Sequence, residues 1–293
     1  MPTLSAARSD HYRPLGAAPA WTIHAFGLTD TGYVRRRNED HFLIAELSKT
    51  LHAQQTSLQQ PDVMEAHDHG HLLIVADGMG GHVGGEVASR LATEKVQEFM
   101  LDAVKWFTDP LANDGDEVIV KLQDALKAAD AEITRAAEKR PKLQGMGTTL
   151  TLAFFLRGEL YIAHAGDSRA SLFRHGHLAR LTLDHTLAAE MVRRGELAPE
   201  KVATHRLRHV VTNIIGGPTP GVFAEIAHAT VEAGDRLLLC TDGLSDMVPD
   251  ADVAEILREH ADPEDACHVL MADALDRGGN DNVTFVIAAF ESE

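Results

Sequence analysis

The chain is short of cysteine and of positive charge, and each shortage excludes something. Cys240 and Cys267 are the only two cysteines in 293 residues. Two thiols cannot build a disulfide framework, so a reducing compartment, the cytoplasm, is the expected location. Cys240 lies in the apolar run "RLLLCTDG", where a small buried residue is the expected role. Lys and Arg total 27 against 44 Asp and Glu, a formal net charge of −17. Nucleic acid and anionic membrane both reward clustered cations, so neither is the expected partner. A charge balance of this sign suits a protein that holds cations. No apolar run approaches the roughly 18 residues of a membrane-spanning helix. The opening "MPTLSAARSDHYRPLGAAPA" has no signal-peptide core, and residues 1–20 read as a flexible tail.

Hydrophobic residues nevertheless make up 44% of the chain, enough for a substantial core. Segments of β character recur: "WTIHAFGLT" and "HFLIAEL" around the polar turn "DTGYVRRRNED", then "HLLIVAD", "GDRLLLCTDG" and "NVTFVIAAF". "TTLTLAFFLRGELYIAHAGD" reads as two strands around Arg157-Gly158, and "RASLFRHGHLARLT" repeats the device around His175-Gly176. Adjacent hairpins imply mainly antiparallel sheets. Helical spacing appears in 86–107 (Val87, Leu91, Val96, Phe99, Met100) and in 117–139 (Val118, Leu122, Ala125, Ile133), with Pro141 ending the second. Asp262-Pro263 has the form of an N-cap followed by proline at the first helical position, with Gly278 as the stop. With no long repeat and no linker, one domain is expected over 21–291: two antiparallel sheets packed together, with helix pairs outside. Residues 48–70 read as an inserted polar loop. Its alternating His67, His69 and His71 lack the cysteine or carboxylate pattern of a tight zinc set, so a solvated loop is expected.

The stretch "IVADGMGGHVGGEVAS" (74–89) ends an apolar run on Asp77 and then places five glycines in eight positions. A phosphate-cradling P-loop is excluded because Gly84-Gly85 runs into Glu86 rather than Lys-Ser/Thr, and the third glycine of a dinucleotide fingerprint would fall on Val83. An ordinary tight turn or a metal ligand needing room remain. The same design recurs at Asp167, Asp242 and Asp281, each a carboxylate at the edge of an apolar segment beside Gly, Ser or Asn. Strand ends of packed sheets cluster, and converging carboxylates repel. Divalent cations that prefer oxygen, Mg2+ or Mn2+, relieve that repulsion, which favours the metal. Arg35, Arg36 and Arg37 precede Asn38-Glu39-Asp40, and arginine beside an acidic centre points to an oxyanion.

"VRRRNED", "ADGMGGHVGGEVAS", "GMGTTLTLAFF", "AHAGDSRASLFRHGHL", "CTDGLSD" and "GGNDNVTFVIA" stand in the order and at about the spacing of bacterial metal-dependent Ser/Thr protein phosphatases, and over residues 22–290 the chain resembles that type-2C (PPM) family. The resemblance implies an α+β fold, the four-layer αββα sandwich, with two cations between the sheets and a third in several bacterial members. It implies hydrolysis of phosphoserine and phosphothreonine by water held between the cations, without a covalent phosphoenzyme, on proteins phosphorylated by a cognate Ser/Thr kinase. Asp77 resembles the carboxylate bridging both ions, with the Gly78 carbonyl on one of them. Asp242 and Asp281 match ligands of the second ion, and Asp167 a ligand of the third, shared with Asp242. Glu39 and Asp40 resemble groups that hold waters around the ions, Arg35 the arginine for the substrate phosphate, and Asn282 a supporting residue. Residues 185–217 correspond to a flap beside the metals, here with five Lys or Arg against three Glu, a cationic surface for phosphoproteins in an acidic body. Met79 stands where many eukaryotic members carry a histidine proposed as general acid; His41 and His82 lie near it in sequence, and neither is assigned that role.

Three other readings compete. A non-catalytic regulatory or adaptor protein on the same fold would typically have lost metal carboxylates, and this chain keeps all four. A metal-dependent nuclease fits a charge of −17 poorly. A cysteine-based phosphatase needs Cys-x5-Arg, and positions 246 and 273 are both Asp.

Overall fold

A computed structural model describes residues 21–48, 50–52, 63–65, 69–80, 84–107, 115–218 and 221–292. The N-terminal tail, His67 and His82 lie outside the described residues. In chain order the strands are β1 (Trp21–Asp30), β2 (Asp40–Leu47), β3 (Thr50–His52), β4 (Val63–Glu65), β5 (Gly70–Met79), β6 (Gly147–Thr148), β7 (Leu150–Leu156), β8 (Glu159–Ala165), β9 (Arg169–Arg174), β10 (His177–Arg180), β11 (Ile215–Gly216), β12 (Glu225–Thr230), β13 (Arg236–Cys240) and β14 (Val283–Ser292). The helices are α1 (Gly84–Phe107), α2 (Gly115–Lys139), α3 (Leu187–Arg193), α4 (Asp242–Ser245), α5 (Asp250–Glu259) and α6 (Pro263–Asp276).

Two sheets carry the fold. One runs β1-β14-β13-β9-β10; the other runs β11-β6-β5-β7-β8-β12, with β2 on the free side of β5. The pairings between described strands are antiparallel, as the hairpins imply. Both hairpin turns have their central residues at positive φ: Arg157 at 55° and Gly158 at 87°, His175 at 51° and Gly176 at 82°. That geometry matches the strand twist, so two residues suffice to reverse the chain.

The strand sequences are continuously apolar because both faces of each sheet are covered. In β5, Leu72 and Ile74 pack on Ala88, Ala92 and Val96 of α1 and on Leu122 and Leu126 of α2. The alternate residues Leu73 and Val75 join Leu172, Leu237, Leu239, Val286 and Phe290 in the layer between the sheets. Beyond the second sheet, Phe285 and Ile287 meet Val253 and Leu257 of α5 and Leu270 and Ala274 of α6. The result is four layers: helix pair, sheet, sheet, helix pair.

Three differences from the sequence expectation have local causes. α1 and α2 each begin two residues before the expected start, at Gly84 and Gly115, because the apolar period marks the packed face and not the first turn. The 48–70 insertion, expected to be irregular, contains a short ladder in which β3 pairs with β4. Within it His69 pairs with the Glu46 carboxylate and His71 tilts against Phe155, so these two imidazoles serve contacts in their own neighbourhood. β1 and β2, which flank one polar turn, belong to different sheets; the turn "VRRRNED" therefore crosses between the layers.

Registry then fixes where the functional segments meet. Asp40 is opposite Asp77, Cys240 is opposite both Arg169 and Phe285, and Asp30 is opposite Val283. The segments just beyond β5, β13 and β8 and just before β14 thus emerge at one end of the sandwich.

The Asp262 cap is present as read: its Oδ1 accepts from the backbone N–H of Glu264 (2.8 Å) and of Asp265 (3.2 Å). Asp262→Ala is expected to lower stability by about 1 kcal/mol, seen as a lower urea midpoint. An unchanged midpoint would mean that this cap contributes nothing.

Candidate metal centre

Asp77, Asp167, Asp242 and Asp281 line one cleft of about 1010 Å3, together with Arg35, Arg36, Arg37, Glu39, Gly78, Met79, His209 and Asn282. Asp77 lies in β5, two residues before its end at Met79, and faces Asp40 across the ladder. Its backbone is clamped: Thr149 N–H donates to the Asp77 carbonyl at 2.9 Å, and Asp77 N–H donates to Thr149 Oγ1 at 3.1 Å. Thr149 Oγ1 in turn lies 2.7 Å from Ser168 Oγ, which ties the "GDSR" corner to the same point. Asp242 opens α4 directly after β13, and Asp281 precedes β14, where its Oδ1 accepts from Asn282 N–H at 2.8 Å.

The "VRRRNED" turn is held by Asn282. Its Oδ1 accepts from Glu39 N–H at 2.8 Å, and its Nδ2 donates to the carbonyls of Thr31 and Arg37, both at 2.9 Å. One side chain thereby fixes the turn against the segment that carries Asp281. Glycine is required at the crossing point of β5 and α1. A Cβ on Gly78 would fall 2.1 Å from the Gly85 carbonyl oxygen and 2.6 Å from that of Glu39, and a Cβ on Gly85 would fall 2.4 Å from Glu39 Oε2. The glycine run lets β2, β5 and α1 approach until the Glu39 carboxylate reaches the site.

Electrostatics at this end are unfavourable without cations. Burial pushes the Asp77 carboxyl well above its usual range, and Asp40, Asp242, Asp167 and Asp281 push it further. Burial followed by neighbouring charge also raises Asp167 to about 8 and Asp242 to about 6. Asp40 rises to about 7, chiefly through burial, although Thr241 Oγ1 donates to its Oδ2 at 2.9 Å. Glu39 is raised by burial. Asp40 Oδ1 and Asp242 Oδ1 are buried with no hydrogen-bond partner. Orphaned carboxylate oxygens among crowded acids fit hard divalent cations, which take oxygen ligands. The donor set therefore suits Mn2+ or Mg2+.

Arg35 reaches Asp281, with Nη2 2.5 Å from Oδ2, and this hydrogen bond is the main reason its pKa is raised. The arginine expected to meet a substrate phosphate here neutralises one acid of the site. Met79 lines the cleft and offers no proton. His41 lies on the opposite face of β2 from Asp40, as strand alternation requires, with Nδ1 3.1 Å from Ser89 Oγ of α1; it is not among the cleft residues.

The segment 185–217 covers one side of the cleft. His185 anchors its start, accepting at Nδ1 from Gly166 N–H (3.1 Å) with Nε2 3.0 Å from Glu225 Oε2. β11 returns it to the sheet beside β6. Its charges are partly spent on neighbours: Arg194 pairs with Glu190, and Arg208 lies 3.8 Å from Asp246. The same segment brings His209 to within 3.9 Å of Asp242 and 3.6 Å of Asp246. Sequence reasoning missed His209 and Asp246. Asp246 lay inside the quoted "CTDGLSD", four residues after Asp242, a helical spacing that was a usable signal; His209 had none.

Known proteins with this arrangement bear the same chemistry in their names. A profile described as Protein phosphatase 2C matches residues 50–277. "Serine/threonine phosphatase stp" of Listeria innocua is 33% identical over 265 residues, which is 90% of this chain and 95% of that protein. "Serine/threonine protein phosphatase PstP" of Mycobacterium tuberculosis is 39% identical over 217 residues, 74% of this chain but 40% of that longer protein. The solved catalytic domain of PstP in complex with two manganese ions superposes with a TM-score of 0.72 at 32% identity, covering 92% of this chain and 99% of that one. The chain belongs to the protein phosphatase 2C family, the Mn2+- or Mg2+-dependent phosphatases of phosphoserine and phosphothreonine proteins.

Proposed function

We propose that the cleft is the catalytic site, with Asp77, Asp242, Asp281, Asp167 and the Gly78 carbonyl as its metal ligands. Its substrates are proteins phosphorylated by a cognate Ser/Thr kinase of the same cytoplasm. The single observation that carries this reading is the convergence of four carboxylates from four strand ends, with a carboxylate oxygen of Asp242 buried and unpartnered. Two free buried cysteines accord with a reducing compartment, and no helix among the described residues is long and apolar enough to cross a membrane. Asp167 of the corner "GDSR", Arg35 and the 185–217 flap take the roles that the resemblance gives them.

When bound, divalent cations supply Lewis acidity and lower the pKa of a water from about 15.7 towards about 7. Asp77, between the two sheets, would be among the residues that hold the cations, with Asp242, Asp281 and Asp167. Asp40, fixed by Thr241, and Glu39, fixed through its backbone by Asn282, orient water at the acidic end. Arg35 exchanges its Asp281 contact for the substrate phosphoryl group, a planar fork on a tetrahedral oxyanion.

Chelation should abolish phosphate release from a phosphothreonine peptide, and Mn2+ or Mg2+ should restore it. Asp77→Asn and Asp242→Asn should remove nearly all turnover and weaken Mn2+ binding in calorimetry, whereas Cys240→Ser should stay active. Wild-type Mn2+ binding by Asp77→Asn would sink the assignment. Arg35→Ala removes a charge-assisted hydrogen bond of about 1.5–3 kcal/mol, so kcat/KM should fall by about one to two decades while Mn2+ affinity changes little. If Arg36→Ala produces that loss instead, the phosphate arginine is Arg36.

Without cations the acids oppose the fold. A carboxylate with a folded pKa above its unfolded value near 3.9 binds its proton more tightly when folded, so stability is lost as pH rises between the two values. For Asp242, Asp40 and Asp167 the upper ends of that window are about 6, 7 and 8. The chelated protein should therefore melt lower at pH 8 than at pH 5. Asp77→Asn, which mimics the protonated acid, should raise the melting temperature of chelated protein at pH 8, one pKa unit being worth about 1.36 kcal/mol. A chelated Asp77→Asn protein less stable than wild type at pH 8 would contradict the repulsion.

A further inference from the structure

Arginine in this acidic chain generally ends on a carboxylate. Arg90 meets Glu94, Arg169 meets Asp184, Arg174 meets Asp235, Arg277 meets Asp252 and Arg35 meets Asp281, all within 2.8 Å. Like Arg140 and Arg206, which do not line the cleft, Arg36 and Arg37 are exceptions among the described residues. Both are exposed, both line the cleft that holds Asp77, Asp242 and Asp281, and neither guanidinium has a hydrogen bond or ion pair among the described residues. Asn282 holds the carbonyl of Arg37 and the N–H of Glu39, which fixes the backbone of the turn; from it Arg35 spans to Asp281, and Arg36 and Arg37 do not.

We propose that Arg36 and Arg37 form a second anion subsite at the lip of the cleft, taking a carboxylate or a second phosphoryl group that the substrate polypeptide carries close to its phosphorylated residue. The inference rests on the cleft being the phosphatase site. The scissile phosphoryl group already has the cations and Arg35, so the unfilled forks are left for another anion. A guanidinium pairs bidentately with carboxylate and phosphate alike, which is why the two sources share one chemistry. Reach limits the spacing. Arg36 and Arg37 follow Arg35 by one and two residues, about 7 Å of backbone at most. An extended substrate covers that distance in about two residues, so the second anion belongs one to three positions from the phosphorylated residue. The subsite also offsets an obstacle: an acidic peptide approaching a protein of charge −17 meets a net repulsion. In the flap, Arg194 and Arg208 already face Glu190 and Asp246; Lys201 and Arg206 do not line the cleft.

The test uses the full chain with Mn2+ and a set of phosphothreonine peptides matched in length. One has alanine at the two positions on each side, one glutamate there, one lysine, and one alanine with a second phosphothreonine two positions away. The readout is the ratio of kcat/KM for each peptide to that for the alanine peptide, compared between wild type, R36A/R37A and R36E/R37E. Wild type should favour the glutamate or the doubly phosphorylated peptide by about three- to tenfold at low salt, with a preference that shrinks as salt rises. R36A/R37A should bring that ratio to about one, and R36E/R37E should turn the preference towards lysine. A response to both acidic peptides means that a carboxylate suffices; a response to the doubly phosphorylated one alone identifies a second phosphoryl group. Identical ratios in all three proteins would overturn the subsite while leaving the phosphatase assignment intact. A wild type that releases phosphate from none of the peptides would remove that assignment, and the subsite with it.

Discussion

Mutual repulsion among buried carboxylates governs this end of the molecule. Asp77 is raised by burial and then by Asp40, Asp242, Asp167 and Asp281 in turn. Arg35 relieves Asp281, yet oxygens of Asp40 and Asp242 stay buried without partners. Such a set is tolerated because the sandwich is stable elsewhere: three apolar layers lie between its sheets and helices. Function and stability therefore pull in opposite directions at the strand ends, a trade common at catalytic sites.

Rigidity of the backbone makes the conflict useful. Asn282 ties three chain segments together through Glu39, Thr31 and Arg37. Gly78 and Gly85 permit a backbone approach that any side chain would forbid. The backbone holds the acids at one end of the sandwich; among the described residues the ligand atoms already within 4.8 Å of one another are those of His209, Asp242 and Asp246, so a cation on Asp77 and Asp281 would draw their side chains together and displace Arg35.

Much of the fold was legible because its causes are local. Arg157-Gly158 and His175-Gly176 announced their turns, and Asp262-Pro263 announced α6. The continuous apolar runs reflected sheets covered on both faces. α4 and α5 were not read: α4 is four residues long, too short for a period, whereas α5 spans ten residues and carries a usable one in Val253 and Leu257. The assignment of β1 and β2 to different sheets was equally hidden, since a polar turn looks alike whether it closes a hairpin or crosses between layers. In the site, each strand-end aspartate carried its own signal. His209 did not, because only the path of the 185–217 segment carries it to Asp242. The bond from Arg35 to Asp281 spans 246 residues and has no trace in sequence spacing.

Anomalous diffraction from a crystal grown with Mn2+ tests the central claim most directly. The account expects at least two peaks in the cleft, one shared by Asp77 with a second ion, each with carboxylate oxygens at about 2.0–2.2 Å, within the range of small divalent cations on oxygen, and Asp242 and Asp281 among the ligands. A cleft without peaks, with Asp77 hydrogen-bonded as a neutral acid instead, would contradict it.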